Sequence, residues 1–216
     1  MPRLPYKTAP FPEACQAVLE ARIRDGLLDR APIFGDVRTF LRDGWAERYR
    51  GLVDVVTAGF PCPAFSQAAR GRNVAENLWP ETAECLRLVR PRWALLENVE
   101  AIRNRGRGFD AVLADLAELG FDAEWGVFSA GASGAPHRRP RIWIVARHPD
   151  RDGEPSVPVD AEMAGLSSVE WPDRPGELRV GDGLAGRMER LGACGRGQVP
   201  AVVVRAWHEL SARIGT

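Results

Sequence analysis

The sequence predicts an α/β protein whose open sheet carries helices on both faces. Three observations point there. Apolar runs at 53–57, 93–96 and 142–146 read as buried strands. Stretches of helical spacing lie between or beside them, at 13–24, 78–89 and 109–119. The first of these strands ends in a Gly/Pro-rich loop, the position where open α/β sheets collect ligands.

Composition sets the bounds. A chain of 216 residues is ample for one core and fits one domain with a small appendage. Lys+Arg and Asp+Glu are both 29, so no global field draws the protein to nucleic acid, and any basic surface is local. Lys7 is the one lysine; the remaining basic charge is arginine, the better bidentate reader of phosphates and bases. Cys15, Cys62, Cys85 and Cys194 are widely spaced, which argues against a disulfide framework or a zinc site and fits a reducing compartment. With no run of 18 apolar residues and no signal peptide, the expected location is the cytoplasm.

Taken in order, residues 1–12 hold prolines at 2, 5, 10 and 12 and read as an irregular arm. Ala14, Val18, Leu19 and Ile23 then recur at helical spacing. Ala31 to Val37 reads as a short strand ending in an acidic turn at Gly35-Asp36-Val37. Its carboxylate can accept hydrogen bonds from a nucleotide amine or hydroxyl, but taken alone a solvated turn or a helix N-cap is the favoured reading.

The strand Val53-Asp54-Val55-Val56-Thr57 runs into Gly59-Phe60-Pro61-Cys62-Pro63-Ala64-Phe65-Ser66. The prolines on either side of Cys62 restrict the backbone and hold its sulfur in one place, which suits a nucleophile. A small apolar cysteine in a Pro-rich turn is the other reading. Residues 67–77, with Arg70 and Arg72, read as a mobile loop over the site. The helix from Leu78 to Val89 tolerates Pro80 in its first turn.

Trp93-Ala94-Leu95-Leu96 reads as a second strand leading directly into Glu97-Asn98-Val99. If this strand runs parallel to 53–57, a carboxylate and an amide stand on the same sheet edge as Cys62. Phe109 to Leu119 reads as an amphipathic helix stopped by Gly120, and Phe121 to Ser129 as a strand. Gly134 to Arg141 places Arg138, Arg139 and Arg141 ahead of the strand 142–146. In extended chain Arg139 and Arg141 point to one face. A solvated basic turn remains open.

From Arg147 to Asp182 the pattern gives way to Pro, Asp, Glu and Gly with an isolated Trp171, a loop-rich insertion. Residues 183–191 read as helical, 195–200 as a glycine-rich turn, and 201–214 as a C-terminal helix.

In this order the pieces resemble the bacterial and phage DNA (cytosine-5) methyltransferase family. Gly59 to Ser66 is similar to its nucleophile motif, Glu97-Asn98-Val99 to its ENV motif, and His137 to Arg141 to its Q-x-R-x-R motif with His for Gln. Asp36-Val37 resembles its adenosyl-contacting acidic turn, and Gly195 to Pro200 its final glycine turn. The resemblance implies a Rossmann-like, S-adenosylmethionine-dependent methyltransferase sheet acting on double-stranded DNA. It implies that Cys62 attacks cytosine C6, that Glu97 protonates or hydrogen-bonds ring N3, that Asn98 orients the site, and that Arg139 and Arg141 contact the flipped base and its phosphate. Asp36, Val37, Pro61, Leu78 and Gly197 would line the cofactor pocket. No metal is implied.

Other features depart from that family. Residues 1–12 lack its D-x-F-x-G-x-G loop and first strand. Pro10 stands where an acidic residue holds the ribose, with Glu13 nearby but misaligned. The final turn reads Gly195-Arg196 in place of G-N, and the nucleophile loop reads Cys62-Pro63-Ala64 in place of Cys-Gln-Pro. The expected organisation is a catalytic core at 1–146 with an incomplete N-terminus, a short target-recognition-like insertion at 147–180, and a return to the core at 181–216. Three readings stay open: a fragment whose first strand and glycine loop were lost or lie on another polypeptide, a catalytically silent remnant that binds DNA or a partner, and a divergent pocket that still binds cofactor. Cys62 and His137 also admit a Cys–His hydrolase, but no acyl-binding motif accompanies them.

Overall fold

The computed structural model describes residues 6–7, 13–61, 77–104, 108–135, 137–151 and 198–214. Cys62, Gly197, most of the 67–77 loop, the expected helix at 183–191 and all but the first residues of the 147–180 insertion lie outside the described residues.

A four-stranded sheet forms the centre, in the order β3 (Val55–Gly59), β4 (Trp93–Val99), β6 (Pro140–Arg147), β5 (Asp122–Ser129). β3 and β4 are parallel, with Gly59 opposite Glu97, so their C-terminal ends share one edge. β6 runs antiparallel to both β4 and β5 and therefore begins at that same edge. A separate parallel pair joins β1 (Tyr6–Lys7) to β2 (Ile33–Phe34). The N-terminal arm is thus not wholly irregular.

Period-two alternation divides the sheet into two apolar faces. On one face Val56, Ala94, Leu96, Ile142, Ile144 and Ala146 are buried against α3 (Trp79–Val89) and α4 (Phe109–Glu118). On the other, Leu95, Trp143 and Val145 are buried against α5 (Pro200–Ser211). Val202, Ala206 and Leu210 recur every four residues on α5 and form one stripe toward the sheet. Helices therefore cover both faces, as expected from the sequence. Each fully buried Leu or Ile side chain contributes on the order of 1.5–3 kcal/mol.

Turn chemistry places the helix ends. Gly120 takes φ +83° and closes α4, with Phe121 N–H bonded to Leu116 O at 2.9 Å. Pro80 occupies the first turn of α3, where its missing N–H costs nothing.

Three local expectations are corrected. The strand before the acidic turn is only Ile33–Phe34; Asp36 is the N-cap of α2 (Val37–Arg42), and Val37 is helical. The Asp36 carboxylate accepts Arg38 N–H at 2.8 Å, so a cap bond ends the extended run. The strand at 53–57 is shifted to Val55–Gly59, because the β3–β4 ladder continues to the Gly59–Glu97 pair, and 93–96 extends to Val99, because the β4–β6 ladder continues to the Val99–Arg141 pair. Arg139 is not extended. It takes φ +37°, turning the chain immediately before β6 begins at Pro140.

Candidate active site

Glu97 and Arg141 meet because of the antiparallel register. Glu97 is opposite Trp143 and Val99 is opposite Arg141, which makes Glu97 and Arg141 diagonal neighbours on one face. Arg141 Nε lies 2.9 Å from Glu97 Oε1, with both side chains largely out of solvent. Arg141 also donates from Nη1 to Pro140 O at 2.8 Å, which fixes its fork. The left-handed turn at Arg139 keeps that guanidinium near enough to act on the same carboxyl.

Burial pushes the Glu97 carboxyl above its ordinary range, even against the charges of Arg141 and Arg139 and the Arg141 hydrogen bond. Arg139 is moved the other way, first by burial and then by repulsion from Arg141, with Glu97 partly offsetting both. The arrangement is an acid held toward its protonated form with two cations beside it. Such an acid can give a proton to a ring nitrogen or accept a hydrogen bond from a ring amine.

Asn98 points to the opposite face, as strand alternation requires. It is 6% exposed; its Nδ2 donates to Phe60 O at 3.0 Å, and its Oδ1 accepts Val99 N–H at 2.8 Å. The Phe60 ring packs on Trp79 with centroids 5.0 Å apart. Trp79 in turn donates from Nε1 to Asp115 Oδ2 at 2.6 Å on α4, and its backbone N–H is capped by Asn77 Oδ1 at 3.1 Å. The chain before Cys62 and the chain at the start of α3 are therefore anchored to each other and to β4.

The residues expected at a cofactor fall in two places. Asp36 and Val37 stand just after β2, at the N-terminus of α2. Arg38 engages both Asp36 oxygens, at 3.2 Å from Nε and 3.3 Å from Nη2. Burial raises the Asp36 pKa, but the Arg38 bonds and charge outweigh it and hold it below the ordinary value. Pro61 is half-buried next to Phe60, and Leu78 is buried next to Trp79.

Sequence reasoning assigned no role to Gly59, Gln198 or the Trp79–Asp115 bond. Gly59 faces the Glu97 carboxyl across β3 and β4, and from the approach to α5 Gln198 Nε2 comes within 3.9 Å of where a Gly59 side chain would begin. The parallel register signals the first; nothing local signals the other two, which depend on packing between distant segments.

Residues 13–175 match a family model described as C-5 cytosine-specific DNA methylase. The Type II methyltransferase M.NgoMIV of Neisseria gonorrhoeae is 31% identical over 139 residues, covering 62% of this chain and 41% of that protein. The Type II methyltransferase M1.ScrFI of Lactococcus lactis subsp. cremoris is 37% identical over 97 residues, covering 43% of this chain and 25% of that protein. Among solved structures, the S. pombe Dnmt2 methyltransferase aligns with TM-score 0.41 and 18% identity over 66% of this chain and 43% of that one. The chain thus spans from 25% to 41% of the length of these two curated relatives. On the match to residues 13–175, the chain belongs to the C-5 cytosine-specific DNA methylase family.

Proposed function

We propose that the chain is the catalytic core of an enzyme that methylates cytosine C5 in double-stranded DNA. The observation that carries this reading is the Glu97 carboxyl, buried at the C-terminal edge of the sheet beside Arg141 and Arg139. Cytosine C5 is a poor nucleophile until a group adds at C6, and a thiolate adds well. In this reading the Cys62 thiolate forms a bond to C6 while Glu97 gives its proton to N3, which neutralises the charge pushed onto the ring. The electron-rich C5 then takes the methyl group. A base removes the C5 proton, elimination breaks the Sγ–C6 bond and returns the thiolate, and N3 gives its proton back to Glu97. Asn98 holds the Phe60 carbonyl and so the approach to Cys62. Arg139 and Arg141 contact the base and its phosphate and favour the thiolate. The target atom lies inside a duplex, so the base is flipped out to reach this edge.

S-adenosylmethionine would supply the electrophilic methyl group when bound, its sulfonium S–CH3 bond breaking to leave the neutral thioether. The donor set suits its adenosine part. Asp36 is an ionised acceptor whose side chain keeps 31% exposure, Val37 beside it is a half-buried apolar residue, and the resemblance adds Pro61, half-buried after β3. Leu78 and Gly197 are assigned to the same pocket by the resemblance. Among the described residues no helix is long and apolar enough to cross a membrane; a cytoplasmic location, with the DNA, is part of the proposal.

The test is methyl transfer to duplex DNA, read as 5-methylcytosine after digestion, by the wild-type chain and by Cys62→Ala. Transfer by the former and none by the latter is expected. Equal transfer by both would sink the assignment.

One observation favours a second reading, a core that needs a complementing chain. Among the described residues no strand pairs with the outer edge of β3, and Val55 is 38% exposed there. The β1–β2 pair forms its own sheet. An open parallel edge accepts a strand from another polypeptide. This reading predicts salt-sensitive DNA binding without transfer by the chain alone. Turnover by the chain alone would end it.

A further inference from the structure

Gly59 has no conformational need to be glycine. It is an ordinary strand residue, absent from the positive-φ glycines. The constraint is space. A Cβ built on Gly59 falls 3.2 Å from Glu97 Oε2, tighter than nine in ten real Cβ contacts, and 3.9 Å from Gln198 Nε2. Glu97 cannot swing away freely, because Arg141 holds its other oxygen, Oε1, at 2.9 Å. The carboxyl is thus gripped by one oxygen, the second stands over the bare backbone of Gly59, and the Gln198 amide borders the same gap.

Resting on the cytosine-methylation reading, we propose that Gly59 and Gln198 are positioning residues for Glu97: the space at Gly59 and the Gln198 amide set Oε2 as the oxygen presented to the base, while Arg141 holds Oε1. Neither residue touches the reacting atoms. Both act through the place and hydration of one carboxyl oxygen. The charged groups facing that carboxyl among the described residues are Arg141 and Arg139, from β6 and the turn before it; β3 contributes a glycine and the approach to α5 a neutral amide.

Two substitutions act in opposite directions. Gly59→Ala pushes a methyl against Oε2, which strips water from it and strains the Arg141 contact. Both effects disfavour the carboxylate, so the Glu97 titration moves up. Gln198→Ala opens the far side to water, so the titration moves down. The measurement is carboxyl ¹³C NMR titration of the full chain labelled at glutamate, with the Glu97 signal identified by its loss in Glu97→Gln. A shift of about 0.5 pH unit or more in each stated direction is expected, equivalent to roughly threefold in the protonation equilibrium. A merely structural glycine or glutamine changes the thermal midpoint and leaves the Glu97 titration where it was. Unchanged titration in the folded variants overturns the proposal, and if Gly59→Ala does not fold, Gln198→Ala alone decides. Failure of the underlying reading shows separately: Glu97→Gln retaining full methyl transfer would reject that reading and would not depend on where Glu97 titrates.

Discussion

Asn98 Nδ2 donates to the carbonyl oxygen of Phe60 at 3.0 Å, across the interior between β4 and the chain leaving β3. One buried amide thus ties the strand that carries Glu97 to the segment two residues before Cys62. Replacing it with Ala leaves the Phe60 carbonyl unsatisfied. Asn98→Ala is expected to cost about 1–3 kcal/mol in denaturant unfolding. It should lower methyl transfer by more than that loss of folded protein explains. Activity equal to wild type per folded molecule would show that the tie has no bearing on the chemistry.

The raised Glu97 pKa makes a signed prediction about stability. An acid whose folded pKa lies above its unfolded value contributes stability that is full below the unfolded pKa and is lost as pH rises through the folded pKa. Burial of the charge, the leading cause of the shift, is the cost that appears at high pH. Glu97→Gln is therefore expected to be at least as stable as wild type at neutral pH. That advantage should shrink toward acid pH while methyl transfer falls by about 100-fold or more. Thermal unfolding at several pH values checks the first part, and steady-state rates the second.

Arg141 offsets that burial. Removing its charge with Arg141→Gln takes away the 2.9 Å ion pair and leaves Arg139 as the cation acting on Glu97. The Glu97 titration should move further up, and affinity for duplex DNA should fall with a shallower salt dependence if Arg141 meets a phosphate. Binding measured across a range of salt concentrations separates the two effects.

Asp36 works in the opposite sense. Its depressed pKa contributes stability present above the unfolded value and lost as pH falls through the folded one. Asp36→Ala loses the cap and should cost about 1 kcal/mol. Asp36→Asn keeps a capping oxygen and should cost less, its remaining deficit vanishing at acid pH. If Asp36 also meets the cofactor, both variants weaken S-adenosylmethionine binding in calorimetric titration. Unchanged affinity in both would leave Asp36 a cap only.

Much of this was legible in the chain. The spacing over 13–24 and 78–89 predicts helices whose observed ends, Glu13–Arg24 and Trp79–Val89, agree within a residue. The apolar runs predict strands, and the parallel alignment of β3 with β4 brings Gly59 level with Glu97, as the edge argument required. Asp36 shows where single-residue reasoning divides: taken alone it favours a solvated turn or a helix cap over a nucleotide contact, and the 2.8 Å bond to Arg38 N–H shows the cap. The spacing of Arg139 and Arg141 predicts one shared face, because residues two apart in a strand point the same way. The turn at φ +37° lies outside any strand, and only tertiary closure into β6 imposes it. Gln198 and Asp115 meet their neighbours across long stretches of sequence, so no local pattern marks them.

The most direct test of the central claim is mass spectrometry of the chain incubated with S-adenosylmethionine and duplex DNA carrying 5-fluorocytosine. Fluorine at C5 blocks the final elimination, so the account predicts a covalent protein–DNA adduct mapped to Cys62 and absent from Cys62→Ala. An adduct that persists in Cys62→Ala, or transfer to DNA with no adduct at all, would contradict it.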